Sequence, residues 1–297
     1  MRSRIWIIIP VYNRQSLTRA CLEGLRCQQY RAFQVIVVDD GSTDGTSQML
    51  HNEFPDVLIL QGNGSLFWTK SVNLGVKYVL SHANTEDYIL TLNDDLTVKA
   101  DYLERLLEGS QLNPNAMIGS IAIDTQDTTR VVSGGVLISW FWARFSDRGR
   151  GRPYAEVLKR FPALARVDAL PGRGTLIPLK IFRDIGVYNE KQLPHYGADY
   201  EFSIRAKNKG YALLINHLAP IFMHEEETGL NNILRRFCRG EFIQNFFSIK
   251  SPNHLRYRWN FARLCCPWYG VMWFYFIDVI RVVLGSFKTR VVLRILK

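Results

Sequence analysis

Two pairs of neighbouring carboxylates are the residues of this chain whose type and spacing best suit chemistry. Asp94 and Asp95 follow a short apolar run (YILTL), and Asp39 and Asp40 follow a similar run (QVIVV). Runs this short and apolar predict buried strands, so each pair falls at the C-terminal end of a strand, where open parallel sheets bind ligands. Two fixed carboxylates there suit a hard divalent cation that also binds substrate phosphates. A solvated turn is the alternative for one pair alone, but the repetition favours a site.

The elements that must position these carboxylates alternate between strands and helices. Strands are predicted at residues 5–9, 34–38, 57–60 and 88–92, and the segments between them have the apolar spacing of helices lying on a sheet. This alternation predicts βαβ units and a parallel sheet. After residue 100 the pattern is less regular. It predicts helices at 102–112, 181–185 and 195–206 and strands at 116–123, 131–139 and 211–215. It also predicts an exposed basic loop at 146–153 and a glycine-lined turn at 170–178.

Composition narrows the function classes. With 297 residues, 47% hydrophobic and 22% charged, the chain is expected to be globular. Its five cysteines have no CxxC spacing, which argues against a disulfide framework or a zinc site and fits a reducing compartment. The apolar run before Pro10 is shorter than a secretory signal requires. Neither GxGxxG nor GxxxxGK[ST] is present, which argues against a dinucleotide-binding Rossmann domain and a P-loop enzyme.

The net charge of +10 lies in the C-terminal part. Residues 230–297 carry 12 of the 37 basic residues but two of the 27 acidic ones, and 14 of the 37 aromatic residues. Residues 264–277 carry no charge, a length shorter than the roughly 20 residues of a spanning helix. Aromatic and basic residues around an apolar segment suit an anionic lipid surface. The alternative is an amphipathic helical pair packed on the domain. No RNP, zinc-finger or basic-zipper pattern occurs, so no nucleic-acid partner is expected.

Five short motifs occur in a specific order: residues 10–14 (PVYNR), 37–44 (VVDDGSTD), 73–75 (NLG), 93–95 (NDD) and 197–201 (GADYE). Together they resemble inverting family 2 glycosyltransferases of the GT-A fold. A further segment (LFWTKSVNLG) is most similar to the rhamnosyltransferase-like branch of cell-surface polysaccharide synthesis. The resemblance implies an α/β fold with a Rossmann-like mixed sheet flanked by helices. It divides the chain into a catalytic domain at 1–225, with a nucleotide-binding half at 1–99 and an acceptor half at 100–225, and a helical C-terminal extension at 226–297.

The resemblance also implies which side chains hold the donor nucleotide. Asp39 and Asp40 would bind the nucleoside, and Pro10, Tyr12 and Arg14 would line the same pocket. Turn formation is the alternative explanation for these residues.

Residues 93–95 stand where the family has its metal-binding motif. Asp95 would ligate Mg²⁺ or Mn²⁺, and Asp94 would contact the ribose or the donor sugar. Asn93 replaces the first acidic residue of the family motif and lowers the charge of the site. His224 would be a further metal ligand, with a structural histidine as the alternative. The chemistry needs a cation because the leaving group is a nucleoside diphosphate.

An inverting transfer also needs a base that takes the proton of the attacking hydroxyl. Asp199 corresponds to the catalytic aspartate of the family, although Ala198 precedes it where an acidic residue is usual. Capping of a helix N-terminus is the alternative for Asp199. Arg205 is expected to pair with Glu201 one turn back. The acceptor or sugar pocket is expected to include Trp68, Asn73, Gly174 and Glu201.

The resulting hypothesis is a metal-dependent inverting glycosyltransferase of the hexosyltransferase type. It would be cytoplasmic, peripheral on the cytoplasmic face of a membrane, and would move a sugar from a nucleotide-diphosphate donor to a glycan or lipid-linked acceptor. One alternative is a catalytically degenerate nucleotide-binding or membrane scaffold protein of the same fold, supported only by Asn93 and Ala198. Another is a nucleotidyltransferase, whose glycine- and basic-rich loop after the first strand is not matched by residues 10–14.

Overall fold

A computed structural model describes residues 3–223 and 242–295 of the chain. Strands and helices alternate through its first part, as the apolar spacing predicts. The elements in order are β1 (Ile5–Val11), α1 (Gln15–Arg26), β2 (Phe33–Asp39), α2 (Thr46–Glu53), β3 (Leu58–Gln61), α3 (Phe67–His82), β4 (Tyr88–Thr91), β5 (Leu96–Val98) and α4 (Tyr102–Leu112).

The second part is richer in short strands and ends in two helices. Its elements are β6 (Ala116–Asp124), β7 (Val131–Ser133), β8 (Val136–Ser139), β9 (Arg144–Asp147), α5 (Tyr154–Arg160), β10 (Leu164–Arg166), β11 (Thr175–Pro178), α6 (Leu179–Ile185), α7 (Ala198–Asn208), β12 (Ala212–Met223), α8 (Leu255–Cys265) and α9 (Val271–Ile295). The helices predicted at 102–112 and 181–185 are confirmed, and the latter ends at Gly186 as expected.

A mixed sheet of ten strands organises these elements. Its main path runs β10-β12-β6-β11-β4-β1-β2-β3, with β5 added to β12 and β7 to β6. The strands β1 to β4 are parallel, β11 is antiparallel to both of its neighbours, and β6 and β12 are parallel. The strands β8 and β9 form a separate antiparallel hairpin. The expected α/β fold, a mixed sheet flanked by helices, is confirmed.

Both faces of the sheet are covered, so its central strands are apolar on both sides. On β1, Ile5, Ile7 and Ile9 belong to the core under α1, α2 and α4. The intervening Trp6 and Ile8 belong to the core under α3, α6 and α7. This double burial explains why the central strands read as continuous apolar runs that end in polar loops.

Two predicted strands differ from the structure. The strand predicted at 131–139 is broken at Gly134 and Gly135, so that β7 pairs with β6 while β8 pairs with β9. A Cβ atom at Gly134 would lie 2.1 Å from the carbonyl oxygen of Arg148, and Gly135 has a φ of +101°, so both positions require glycine. As a result the predicted basic loop begins inside β9. The strand predicted at 211–215 is only the start of β12, which continues past an irregularity to Met223.

The C-terminal helices form a pair that packs on the rest of the protein. Arg258 of α8 makes a two-point ion pair with Asp278 of α9, at 2.7 and 2.8 Å, and α8 also contacts α7. The uncharged stretch 264–277 therefore spans two helices and the 3₁₀ turn between them. Among the described residues one helical segment, Trp268–Thr289, is long and apolar enough by length and composition to cross a membrane, with a mean hydropathy of 1.6 and 22% of it buried.

Candidate active site

The loops after three parallel strands meet at one edge of the sheet. Val11 at the end of β1 pairs with Asp39 at the end of β2, and Ile8 of β1 pairs with Thr91 at the end of β4. Since parallel neighbours end on the same side, the two carboxylate pairs predicted from the sequence lie along one edge. The structure thus brings the 10–14, 39–44 and 93–95 segments together.

The loops after β1 and β2 are tied to each other by hydrogen bonds. Asn13, with a φ of +52°, donates its N–H to Ser42 Oγ at 2.9 Å and accepts the N–H of Thr43 at 2.7 Å. Asp44 accepts the N–H of Gln15 at 2.9 Å. The sequence analysis did not assign Asn13 or Asp44 to the site; asparagine tolerates this left-handed conformation better than most residues, which is the signal that could have identified it.

Asp39 is fully buried beneath these loops. One carboxylate oxygen accepts the N–H of Ser42 at 2.9 Å, and the other accepts the hydroxyl of Ser47. Pro10 lies near the end of β1, and Tyr12 lies just beyond it with 52% of its side chain exposed. Three of the residues predicted to bind the nucleoside therefore share this corner of the sheet edge, with Asp39 inside and Tyr12 at the surface.

Asp40 is engaged with the backbone of the loop before α3. Its Oδ1 accepts the N–H of Gly64 at 2.8 Å, and its Oδ2 accepts the N–H groups of Leu66 and Phe67 at 2.8 and 3.3 Å. Phe67 has a φ of +55°, an unfavourable conformation for an aromatic residue, and these bonds stabilise it. Asp40 therefore positions Trp68, the next residue, and its direct contact with a nucleoside stays a prediction.

Arg14 joins the first loop to the predicted metal motif. A single nitrogen, Nη1, lies 3.1 Å from Asp94 Oδ1 and 3.2 Å from Asp95 Oδ2. The other oxygen of Asp94 is buried and has no hydrogen-bond partner among the described residues. Burial raises the pKa of Asp94 to about 7, with Arg14 opposing that rise and the charge of Asp95 adding to it.

The arrangement fits a divalent cation. Asp94 Oδ1 and Asp95 Oδ2 already converge on the cationic guanidinium of Arg14. Asp94 Oδ2 is buried and has no hydrogen-bond partner among the described residues. In the ranges 3–223 and 242–295 no group of three or more His, Cys, Asp or Glu residues could hold a metal. A cation at Asp94 and Asp95 would therefore complete its shell with diphosphate oxygens and water, as Mg²⁺ commonly does. His224, the further predicted ligand, lies outside the described residues.

Trp68 lies between the metal motif and the predicted base. Its Nε1 donates a hydrogen bond to Asn93 Oδ1 at 3.2 Å. Its ring lies against Gly172, where an added Cβ would approach the indole to 2.2 Å. The N–H of Gly172 in turn donates to Asp199 Oδ2 at 2.8 Å. A chain of contacts thus connects Asn93 with Asp199 through one aromatic ring.

Asp199 is the second residue of α7 and is half-buried. The helix is capped by Gly197, so Asp199 is not its N-cap. Its Oδ1 accepts the N–H of Tyr200 at 2.9 Å. Burial raises the pKa of Asp199, and the N–H groups and the charge of Arg173 oppose that rise in part. Arg173 was not singled out from the sequence, although it lies in the glycine-lined turn; its Nε is buried without a partner among the described residues.

Two residues predicted for the acceptor or sugar pocket, Asn73 and Glu201, have intramolecular partners. Asn73 is buried, exchanges hydrogen bonds with the backbone of Tyr188 at 2.9 and 3.0 Å, and donates to Glu190 at 2.7 Å. Glu201 is 4% exposed and pairs with Arg205 at 2.8 Å, as the sequence predicts. The polar atoms of both side chains are thus paired inside the protein, and direct contact of either one with an acceptor or sugar stays a prediction.

Gly174 contributes backbone geometry. It has a φ of +68°, and a Cβ atom there would lie 2.9 Å from Ser120. Its N–H donates to the carbonyl of Thr91 at 2.7 Å, and its own carbonyl accepts the hydroxyl of Ser120 at 2.7 Å. Gly174 therefore fixes the turn that leads from Gly172 into β11.

His195 and Tyr196 also belong to the site, although the sequence analysis did not assign them a function. His195 Nδ1 accepts the N–H of Trp68 at 3.5 Å, and its ring packs on Phe67. Burial lowers the pKa of His195 to about 4. Burial raises the pKa of Tyr196 to about 12, and the positive charge of Arg14 opposes that rise. Their position directly before the GADYE motif is the signal that could have identified them.

The architecture is shared with solved glycosyltransferases. The structure is similar to a mannosyltransferase from Pyrobaculum calidifontis in complex with GDP-Man and Mn²⁺, with a TM-score of 0.59 and 14% identity over 98% of this chain and 74% of that one. The fold and the carboxylates at its sheet edge define a protein of the GT-A class. The sequence profile of Glycosyl transferase family 2 matches residues 6–159, and the chain belongs to this family.

Curated relatives agree with that assignment. The chain is 24% identical to the putative glycosyltransferase EpsH of Bacillus subtilis over 184 residues, which are 57% of this chain and 51% of that one. It therefore spans about half the length of this relative. The chain is also similar to an N-acetylglucosaminyl-diphospho-decaprenol L-rhamnosyltransferase of Mycobacterium tuberculosis. The two are 21% identical over 69% of this chain and 70% of the relative.

Proposed function

We propose that this chain is a metal-dependent inverting glycosyltransferase that moves a sugar from a nucleotide-diphosphate donor to an acceptor hydroxyl. The observation that carries the proposal is the convergence of Asp94 and Asp95 on one cationic atom, at 3.1 and 3.2 Å, with the Asp199 carboxylate connected to the same motif through Trp68. A cation-binding carboxylate pair and a separate carboxylate base are the two parts that such a transfer needs.

The donor side of the site would bind the nucleotide and supply positive charge to its diphosphate. The corner formed by Asp39, Pro10 and Tyr12 would bind the nucleoside, and Asp95 with Asp94 would hold Mg²⁺ or Mn²⁺. The cation, when bound, would neutralise charge on the departing diphosphate. Arg14 adds a second positive charge at the same point, since its guanidinium already lies between these carboxylates. The mannosyltransferase from Pyrobaculum calidifontis, which shares this fold and is in complex with GDP-Man and Mn²⁺, supports a nucleotide-diphosphate sugar and a divalent cation as the ligands.

The acceptor side supplies the base. The acceptor oxygen would attack the anomeric carbon, the bond from that carbon to the diphosphate oxygen would break, and the hydroxyl proton would pass to Asp199. Attack on the face opposite the leaving group inverts the configuration. The N–H groups of Gly172 and Tyr200 orient the carboxylate, and burial raises its pKa, which strengthens it as a base.

The biological setting is proposed from the relatives. The mycobacterial relative is named for transfer of rhamnose to a lipid-linked diphosphate sugar, which supports a glycan or lipid-linked acceptor in cell-surface polysaccharide synthesis. Use of a nucleotide-diphosphate donor would favour a cytoplasmic position for the proposed enzyme.

A catalytically degenerate protein of the same fold is the alternative. Its support was the replacement of acidic residues by Asn93 and Ala198. Both replacements have structural reasons. Asn93 accepts a hydrogen bond from the indole N–H of Trp68. Ala198 is fully buried in the apolar core, where an acidic side chain would need a partner. At position 198, therefore, no group that faces the site is lost, and at position 93 the amide oxygen holds Trp68 in place.

The test is sugar transfer from labelled donors. Full-length protein would be incubated with Mn²⁺, labelled UDP-, dTDP- and GDP-sugars and membrane extracts as the acceptor source, and incorporation into lipid and glycan fractions would be counted. Asp199→Asn should lose at least about a hundredfold in transfer, the scale of general-base catalysis. Asp184→Asn, an exposed carboxylate on α6, is the matched control. An Asp199→Asn protein as active as wild type would favour the degenerate alternative or another base.

A further inference from the structure

One side of α9 presents a continuous apolar stripe to solvent. Residues three or four apart fall on the same side of a helix, and the stripe follows that spacing. On the opposite side Phe274 and Asp278 are buried, at 1% and 4% exposure. The α9 stripe, 38% to 70% exposed, consists of Met272, Trp273, Phe276, Ile280, Leu284 and Phe287. Residues 3–223 and 242–295 thus leave most of this apolar side of α9 uncovered.

The tip of the β8–β9 hairpin extends the stripe. Phe141 and Trp142 are 61% and 62% exposed. The indole of Trp273 donates to the carbonyl of Phe141 at 2.8 Å, and their rings lie 5.6 Å apart. Arg281 donates to the carbonyl of Trp142 at 3.0 Å. The hairpin tip and the α9 stripe together form one surface, called here the aromatic surface.

The C-terminal segment that carries the α9 stripe is positively charged. Between residues 242 and 289 there are six basic residues and one acidic residue, Asp278. Asp278 is buried and paired with Arg258, so it does not offset the exposed positive charge. Arg256, Arg263 and Lys288 are exposed on α8 and α9. Aromatic side chains beside unbalanced basic ones match an anionic lipid headgroup region.

We propose that the aromatic surface docks on an anionic bilayer, with α9 lying in the plane of the interface. The contacts on the covered side favour this orientation over a spanning helix. A spanning α9 would have to separate from the hairpin carbonyls that bind Trp273 and Arg281, and would carry the Arg258–Asp278 pair toward hydrocarbon. Pairing with a second copy would bring two positive surfaces together, which charge repulsion opposes.

The aromatic surface adjoins the acceptor side of the site. The hairpin that carries Phe141 and Trp142 also carries Phe145, whose ring stacks on Tyr200 at 6.1 Å. Tyr200 is the neighbour of Asp199 and donates to its carboxylate. If the proposed function holds, docking would bring a lipid-linked acceptor to the side of the protein that carries the base.

Vesicle flotation of the full chain tests the proposal without any nucleotide, so its failure is separate from failure of the proposed activity. Vesicles of phosphatidylcholine alone are compared with vesicles that also contain phosphatidylglycerol. Two variants remove parts of the aromatic surface: Phe141→Ser with Trp142→Ser, and Phe276→Ser with Leu284→Ser. Leu112→Ser, at a residue 78% exposed at the end of α4, is the control. Circular dichroism verifies that each variant is folded.

We expect binding to the anionic vesicles that weakens with salt, falls about tenfold or more in each double variant and is unchanged in the control. Shallow brominated lipids should quench the tryptophan fluorescence of the wild type. Binding that survives alkaline carbonate extraction would indicate a spanning helix and overturn the proposal. Absence of vesicle binding, or double variants that change only self-association, would overturn it in favour of a protein partner.

Discussion

The indole of Trp68 donates a hydrogen bond to the side-chain oxygen of Asn93 at 3.2 Å. Asn93 opens the motif that carries Asp94 and Asp95, and the same indole ring lies against Gly172, whose N–H binds Asp199. A neutral amide accepts this bond without adding a third negative charge to the motif. The relationship gives Asn93 a function as a positioning residue and makes Trp68 the link between the two halves of the site.

The first prediction concerns the Trp68 hydrogen bond. Trp68→Phe keeps an aromatic ring but removes the donor, and a typical net hydrogen bond is worth about 1 kcal/mol. We expect sugar transfer to fall about fivefold or more, with a small loss of thermal stability. Trp68→Ala, which also removes the ring from Gly172, should lose considerably more. Equal activity of Trp68→Phe and wild type would show that the bond does not position the motif.

The second prediction concerns the contact between Gly172 and the same ring. Gly172→Ala places a Cβ atom 2.2 Å from the indole, so the ring must move and the Asp199 carboxylate loses its fixed donor. We expect destabilisation of about 1–3 kcal/mol and loss of transfer. Combination with Trp68→Leu should recover part of the stability because the clash is relieved. Gly24→Ala, where the nearest atom is 3.8 Å away, is the control and should unfold at the wild-type temperature or above.

The third prediction concerns Arg14. Arg14→Gln leaves Asp94 and Asp95 side by side without their cation, so we expect the metal-free protein to lose about 1–2 kcal/mol of stability. Mn²⁺ should raise the melting temperature of this variant more than that of the wild type. Arg19→Gln breaks an exposed pair with Glu53 and should have little effect, with or without Mn²⁺. Equal responses of the two variants to Mn²⁺ would contradict the proposed metal position.

The fourth prediction is a pH dependence. The pKa of His195 is lowered to about 4, below the value of about 6.5 in an unfolded chain. Between these values the unfolded chain binds a proton at His195 that the folded protein does not, so the contribution of His195 to the free energy of unfolding falls as the pH falls from about 6.5 to about 4. Asp94, whose pKa burial raises to about 7, contributes with the opposite sign over the same range. Urea unfolding at several pH values measures this. The free energy of unfolding of His195→Gln should therefore rise relative to that of the wild type as the pH falls from about 6.5 to about 4, whereas His51→Gln, at an exposed position on α2, should keep a constant difference from the wild type.

Local patterns account for the parts of the fold that could be predicted. The strands before Asp39 and Asp94 are short apolar runs, and parallel pairing alone brings their carboxyl ends to one edge. The Glu201–Arg205 pair follows from four-residue spacing on a helix. The apolar runs and the four-residue spacing are local in the chain, and the alternation of strands and helices predicts the parallel pairing.

The remaining features depend on contacts between distant residues. The direction of Trp68 depends on the left-handed Phe67, which Asp40 stabilises from 27 positions away. The break at Gly134 depends on the approach of the Arg148 carbonyl. Apolar spacing cannot report such contacts, so a single strand was predicted at 131–139, and the engagement of Asp40 with a loop was not anticipated.

The central claim is that Asp95 and a divalent cation together bind the donor nucleotide. Calorimetric titration of UDP, dTDP and GDP, each with and without Mn²⁺, tests it most directly. The wild type is compared with Asp95→Asn and with Asp56→Asn, an exposed carboxylate before β3. We predict that one nucleotide binds in the presence of Mn²⁺, and binds at least about tenfold more weakly without it or in Asp95→Asn. Binding that is indifferent to both Mn²⁺ and Asp95, or no binding of any nucleotide, would contradict the proposed site.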